Sequence, residues 1–307
     1  MTVTQKAILR TLLYFDIFSH PLNKSELFRL IGIRPDWEEF EQSLGELLTL
    51  NLVGNESNYF FIVNGGSSIQ ERIKKLDRSE KYHRISRFIS RLISYHPFVK
   101  GILVSGSLSK SSFSRKDDID FFVITEPGRL WVCRTILMLF KKIFLLNSKK
   151  YFCINYFIDT ESLKIQDKNI FTATEIAFLI PHRNAELCGK FFAANDWIHT
   201  FFPNLTIDLT GCREASSPFL KRFLERLLRG KTGERLDSYF MELYRKRSGK
   251  KFGLEDQELF KVNFKSEKNV SKYHPNGFQH IVTQRYSSKV SEFQTAHKLS
   301  LTLYTEP

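Results

Sequence analysis

Asp118 and Asp120 are the residues of this chain best equipped for chemistry, and they follow a Gly-Ser pair. The stretch reads Val104-Ser105-Gly106-Ser107-Leu108-Ser109-Lys110, then Asp117-Asp118-Ile119-Asp120-Phe121-Phe122-Val123-Ile124. On an extended backbone, side chains two apart point the same way, so both carboxylates face one spot. Two ionised carboxylates sharing a spot repel each other unless a cation lies between them. The Gly106-Ser107 turn offers backbone N–H groups and a hydroxyl that suit phosphate. Lys110, Arg115 and Lys116 lie between the two halves, either reaching phosphate or solvated at the surface. A phosphate cradle beside a two-carboxylate cation site is the minimum equipment for magnesium-dependent phosphoryl or nucleotidyl transfer.

Such a pair needs strands to hold it. Residues 99–105 read as a first strand, ended by Ser105, and residues 118–125 as a second that begins with the two carboxylates. A helix is expected from Glu126-Pro127 to about residue 146. Trp131, Ile136, Leu139, Phe140 and Ile143 form its apolar side, with Arg134, Lys141 and Lys142 opposite. Residues 151–158 read as a third strand. Residues 172–202 read as helical with a break at Pro181, and Glu175 as a charge near a helix N-terminus, the alternative being a place near the metal. Ahead of this unit, residues 65–68 (Gly-Gly-Ser-Ser) read as a linker. Residues 69–95 read as a helix with apolar positions including Ile73, Ile85, Phe88, Ile89 and Ile93 and a basic face.

The N-terminal residues have a different pattern. A helix is expected over 4–18, then a capping box at Asn23 and Glu26 opening a short helix. A third helix starts near Pro35 or Asp36, with a turn at 54–57 and a strand at 58–63. Three helices and a short hairpin make a winged-helix pattern. Its third helix would enter the DNA major groove, yet it carries Asp36, Glu38, Glu39, Glu41 and Glu46, and no Lys or Arg occurs from residue 35 to 71. Phosphate repels such a helix, which argues against duplex DNA and for packing or partner docking.

The 307 residues carry a net charge of +13, which suits anionic partners without naming one. Residues 213–307 hold nineteen basic and eleven acidic residues. Within them, Pro218 is expected to open a helix that Gly230 caps, with Phe219, Leu220, Phe223, Leu224, Leu227 and Leu228 on one face and Lys221, Arg222, Arg226 and Arg229 on the other. Residues 299–305 read as a stray strand or a tail. Cys133, Cys153, Cys188 and Cys212 form no zinc-type spacing and read as reduced structural thiols. With no signal peptide and no span of about 20 apolar residues, the chain is read as cytoplasmic.

The pattern apolar–Gly–Ser, ten intervening residues, then Asp–apolar–Asp–apolar resembles the signature of the DNA polymerase β-like nucleotidyltransferase superfamily. The match covers residues 99–158. The resemblance implies that Gly106 and Ser107 hold the nucleotide's phosphates, assisted by Lys110. It implies that Asp118 and Asp120 bind Mg²⁺ (or Mn²⁺), and that a third carboxylate on the next strand helps hold a second ion. That position here is Asn155, an amide that carries no charge and cannot act as a base; Asp159 lies too far along the strand to replace it. The expected fold class is α+β: a small mixed-sheet nucleotidyltransferase core at residues 67–208, a winged-helix domain at 1–66 and a basic, mostly helical region at 209–307. The expected function is transfer of a nucleoside monophosphate from an NTP to an unidentified hydroxyl or phosphate acceptor. The alternative is a non-catalytic nucleotide- and metal-binding or partner-binding protein on the same fold.

Overall fold

The computed structural model describes residues 1–148, 150–215, 217–252, 264–273 and 278–302. Reciprocal capping of Thr2 and Gln5 opens helix α1, Val3–Asp16. Its apolar positions Ile8, Leu9, Leu12, Leu13 and Phe15 are all buried. The Asn23/Glu26 box opens helix α2, Lys24–Leu30, and the Asp36 side chain caps helix α3, Trp37–Thr49. Three short strands, β1 (Leu22–Asn23), β2 (Val53–Glu56) and β3 (Tyr59–Ile62), form an antiparallel sheet in the order β1-β3-β2. The turn expected at 54–57 is displaced. Gly54 lies inside β2, and the chain reverses at Ser57 and Asn58, whose φ values are 52° and 64°. Two consecutive left-handed residues form the hairpin turn whose twist matches its strands. The acids of α3 work within this unit: Glu39 accepts from Thr4, Glu46 from Gln5, and Glu41 pairs with Lys24 at 2.6 Å.

Residues 65–68 are tied down. The Gly66 N–H and the Ser67 hydroxyl donate to the Asp16 carboxylate, and Ser68 caps helix α4, Ile69–Ser94. The buried side of α4 differs from the apolar pattern of the sequence. Ile73 and Phe88 are exposed, whereas Arg72, Ser79, Ser86, Ser90 and Ser94 are buried beside Ile89 and Ile93. Each of these serines donates to a carbonyl of the preceding turn, so small, self-satisfied side chains can line the packed face.

The second sheet has six strands in the order β7-β4-β5-β6-β9-β8: β4 (Val99–Ser105), β5 (Asp120–Thr125), β6 (Cys153–Asp159), β7 (Ile180–Arg183), β8 (Phe264–Ser266) and β9 (Val270–Tyr273). It is mixed: β5 and β6 are parallel and the other pairs antiparallel. A parallel pair needs a crossover, supplied by helix α6, Leu130–Phe144. A single turn, α5 (Gly106–Ser109), follows β4. Both faces of the sheet are buried at β4, β5 and β6. Ile102, Val104, Phe121, Val123 and Phe157 pack toward α4 and α6. Leu103, Phe122, Ile124 and Ile158 pack toward helix α7 (Ile170–Ala177), helix α8 (Ala185–Ala194) and the N-terminal unit. The expected break at Pro181 is β7, a strand on the sheet edge, where a residue without an N–H is tolerated.

Several helical expectations shift. α6 starts at Leu130, because Glu126–Arg129 forms a turn closed by the Arg129 N–H on the Glu126 carbonyl. Its Arg134 and Lys141 are buried while Leu139, Ile143 and Phe144 are exposed. Arg134 is held between Trp131, Phe157 and Tyr244, its charge against their ring faces. The C-terminal region contains helices α9 (Phe219–Leu228), α10 (Lys231–Phe252) and α11 (Phe278–His297). It also adds β8 and β9 to the main sheet, which a mostly helical reading does not contain. On α9 it is Lys221 and Glu225 that are buried, not the apolar face. Residues 299–302 form no strand, and 303–305 lie outside the described residues. No described helix is long and apolar enough to cross a membrane.

Candidate functional site

β4 ends at Ser105, which pairs with Asp120 across the antiparallel ladder. The backbone then turns through Gly106 at φ +72°, a left-handed conformation that favours glycine. A side chain there meets a second obstacle: a Cβ on Gly106 would lie 2.3 Å from Asp120 Oδ2. The carboxylate of Asp120 thus rests directly on the Gly-Ser turn. The expected pairing of the two motif halves is present as contact.

The turn is braced from several sides. Ser109 Oγ and Lys110 Nζ donate to the Gly106 carbonyl at 3.0 and 3.3 Å. Ser112 donates to the Ser107 carbonyl through both its N–H and its hydroxyl. The buried Arg72 of α4 donates to the Ser111 carbonyl at 2.6 Å and pairs with Glu26 of α2 at 3.0 Å. Ser79 of α4 accepts the Phe113 N–H. Arg72 and Ser79 of the basic helix therefore anchor the segment between the motif halves. Arg115 and Lys116 are exposed, and Asp117 is consumed by capping Ser114.

Asp118 lies just ahead of β5 instead of inside it. It is half-buried, and no hydrogen bond or ion pair to its carboxylate is present among the described residues. Asp120 opens β5 on the same sheet face as Phe122 and Ile124, the face that α7 covers. Its pKa is pushed up to about 7. Burial is the main cause, and the charges of Asp118 and Glu175 add to it; the Cys153 thiol and Lys110 act the other way. Cys153 itself is pushed up to about 12 by burial and by the charge of Asp120, so it stays a thiol.

Asn155 reaches this carboxylate. The β5–β6 register passes from Phe121↔Ile154 to Phe122↔Tyr156, which makes Asn155 the extra residue of a β-bulge. Bulges re-aim side chains beside functional sites. The Asn155 amide donates to Asp120 Oδ1 at 2.6 Å and accepts from Cys153 Sγ at 3.2 Å, an arrangement that fixes which way the amide points. Asp159 is buried at the far end of β6, pairs with Thr125 and accepts the Glu161 N–H; it ends the strand.

Glu175 is not the helix N-terminal charge that its place in the sequence suggests; its charge acts on Asp120. It sits late in α7, away from the helix N-terminus, and pairs with Lys110 at 2.9 Å. The partners are 65 residues apart, so no local spacing signals them. The N-terminal unit adds His20, which is buried and held well below its usual pKa by burial and by the charges of Arg72, Lys110 and Lys75.

The donor set decides what ion could fit. Asp118 and Asp120 offer hard carboxylate oxygens, and Asp120 Oδ2 lies over the turn that would carry phosphate. Mg²⁺ is commonly held by one or two carboxylates together with substrate phosphates, and this set fits that mode. It does not make a cage of its own: among the described residues no three His, Cys, Asp or Glu side chains gather to hold a metal. Two surface clefts, one along α3 at Gln42 and Glu46 and one lined by Lys100, Glu126 and Lys190, contain neither Asp118 nor Asp120. Compared with protein-family models, curated proteins and solved structures, the chain has no significant match.

Proposed function

We propose that this chain is a magnesium-dependent nucleotidyltransferase of the DNA polymerase β-like superfamily. It would move a nucleoside monophosphate from an NTP to a hydroxyl or phosphate acceptor. The observation that carries the reading is the seating of Asp120 Oδ2 against Gly106, which joins the Asp–x–Asp pair to the Gly-Ser turn. In this reading the N–H groups of Gly106 and Ser107 and the Ser107 hydroxyl bind the β- and γ-phosphates. Lys110, already on the Gly106 carbonyl, adds positive charge beside them. Asp118 and Asp120 would hold Mg²⁺, or Mn²⁺ in its place. When bound, the ion offsets the charge that builds on the transferring phosphoryl group. Asn155 holds the Asp120 carboxylate in one orientation and takes no proton. The arrangement therefore suits best an acceptor oxygen that is already ionised, as in a phosphate. The N-terminal unit is read as a winged helix whose third-helix acids serve its own packing, and whose Glu26 holds Arg72 of α4 against the phosphate turn, without reading duplex DNA.

The Asn155–Asp120 hydrogen bond also favours a second reading, a nucleotide- and metal-binding regulatory protein without turnover. Incubation with Mg²⁺, each labelled NTP and cell extract as acceptor separates the two. Transfer that disappears in both Asp118→Asn and Asp120→Asn supports the first. Retention of NTP without transfer selects the second. Transfer that survives both substitutions rejects the site.

A further inference from the structure

Helix α9 is seated on its charged side and turns its apolar side to solvent. Beneath it, Lys221 Nζ donates to the carbonyls of Ser94 and Val99 at 3.0 and 2.8 Å, and Glu225 accepts the Phe98 N–H at 2.8 Å. At its C-terminal end the Arg129 guanidinium grips the carbonyls of Leu228, Arg229 and Gly230. The helix is therefore fixed in orientation by buried polar contacts. Above them Phe219, Leu220, Phe223 and Leu227 are 77%, 65%, 54% and 65% exposed. The rings of Phe219 and Phe223, one turn apart, stack with centroids 6.5 Å apart and planes 19° apart.

The charges are as ordered as the apolar residues. Arg222, Arg226 and Arg229 are exposed beside the apolar face, and Arg229 also faces Glu126 at 3.8 Å. At about 100° per residue, the apolar side chains span about 100° of the helix circumference and the arginines an adjacent arc of about 60°. The exposed surface of α9 holds no carboxylate, because Glu225, its one acid, is folded beneath. A helix on a protein surface ordinarily turns polar residues outward. An outward face of large apolar residues bordered by arginines is the pattern of a helix lying in a lipid–water interface.

We infer that α9 docks this protein on an anionic lipid surface. Phe219, Leu220, Phe223 and Leu227 enter the headgroup boundary, and Arg222 and Arg226 face lipid phosphates. The net charge of +13 draws the molecule toward such a surface. Charge disfavours an antiparallel second copy as occupant: a two-fold contact of that kind through this face would bring two rows of arginines together. The association is peripheral, since no described helix spans a bilayer.

The test is co-sedimentation of the full chain with vesicles of phosphatidylserine mixed with phosphatidylcholine, and of phosphatidylcholine alone, at low and high salt. Binding is expected to the anionic vesicles only and to weaken with salt. The double variants F219E/F223E and R222E/R226E should each lower it at least about tenfold. These side chains are exposed, so folding should be unaffected, and circular dichroism checks this. Phe219→Trp gives an independent signal: its emission should shift to the blue when anionic vesicles are added. The inference is overturned by absence of binding, by binding indifferent to the α9 variants, or by binding lost instead in L139E/I143E on α6. Self-association in light scattering that F219E/F223E abolishes, without vesicle binding, would assign the face to a second copy and overturn it equally.

Discussion

At the scale of single residues, Asp120 is a partly buried acid seated against the Gly-Ser turn. Its carboxyl is raised from 3.8 to about 7 chiefly by burial. An acid whose folded pKa lies above its free value contributes stability that is fully present below the free value and is lost as pH rises through the folded one. Metal-free protein should therefore lose thermal stability between about pH 4 and about pH 8 by an amount that Asp120→Asn removes. A bound cation inverts this logic. Mg²⁺ should raise the melting temperature more at about pH 8 than at about pH 5, and not in Asp120→Asn. A melting curve indifferent to Mg²⁺ at both pH values counts against a cation at this carboxylate. Gly106 gives a sharper test. Gly106→Ala places a side chain at φ +72° and against Asp120 Oδ2. It should cost about 1–2 kcal/mol from the backbone alone and abolish the Mg²⁺ shift, both read by denaturant titration with and without the ion. Asn155→Asp restores a charge at the bulge, where it would face Asp120 directly. It should destabilise the metal-free protein and tighten Mg²⁺ binding by calorimetry.

Elements show where sequence patterns are legible and where they are not. Caps are local, so Asn23, Glu26 and Asp36 mark their helices within four residues of chain. The Gly106–Asp120 pairing is legible because strand alternation and a short connection bring its parts together. β8 and β9 are not, since they pair only with each other and with a strand more than a hundred residues earlier. Helix α4 is misleading for a physical reason: its buried face is built from serines that satisfy their own hydroxyls, so the apolar positions understate what is packed. α9 misleads because its deepest residues are charged and reach backbone groups of β4 and of the turn before it. Arg72 on α4 links three segments, donating to the Glu26 carboxylate of α2 and to the Ser111 carbonyl. Arg72→Met removes the partner of Glu26 Oε1, whose Oε2 still accepts the Asn23 N–H, and the donor to the Ser111 carbonyl, and should cost about 3 kcal/mol in urea unfolding. A cost near zero would mean that the turn holds itself.

For the whole molecule, the notable fact is a core shared between the two ends of the chain. Residues of α1, α2 and α3 belong to the same buried cluster as α7, α8 and α11. Phe15 packs on Phe178 with centroids 6.0 Å apart, and Tyr14 on Tyr286 at 5.4 Å. Asn204 donates to the carbonyls of Phe28 and Ile33. A fragment of residues 67–307 should expose that cluster, bind a hydrophobic dye and lack a cooperative thermal transition; a sharp transition in the fragment would show the core to be divisible. The same contacts bear on how the protein is made. Asp16 receives Gly66, Ser67 and, from α11, Lys289, while Arg10 donates to the Leu301 carbonyl across 291 residues of chain. A ribosome adding about 5–20 residues per second would deliver that partner roughly 15–60 s after Arg10. For that interval α1 and α2 have their own capping boxes, but Tyr14 lacks Tyr286 and Asp16 lacks Lys289, so nascent α1 is most in need of a chaperone until α11 arrives.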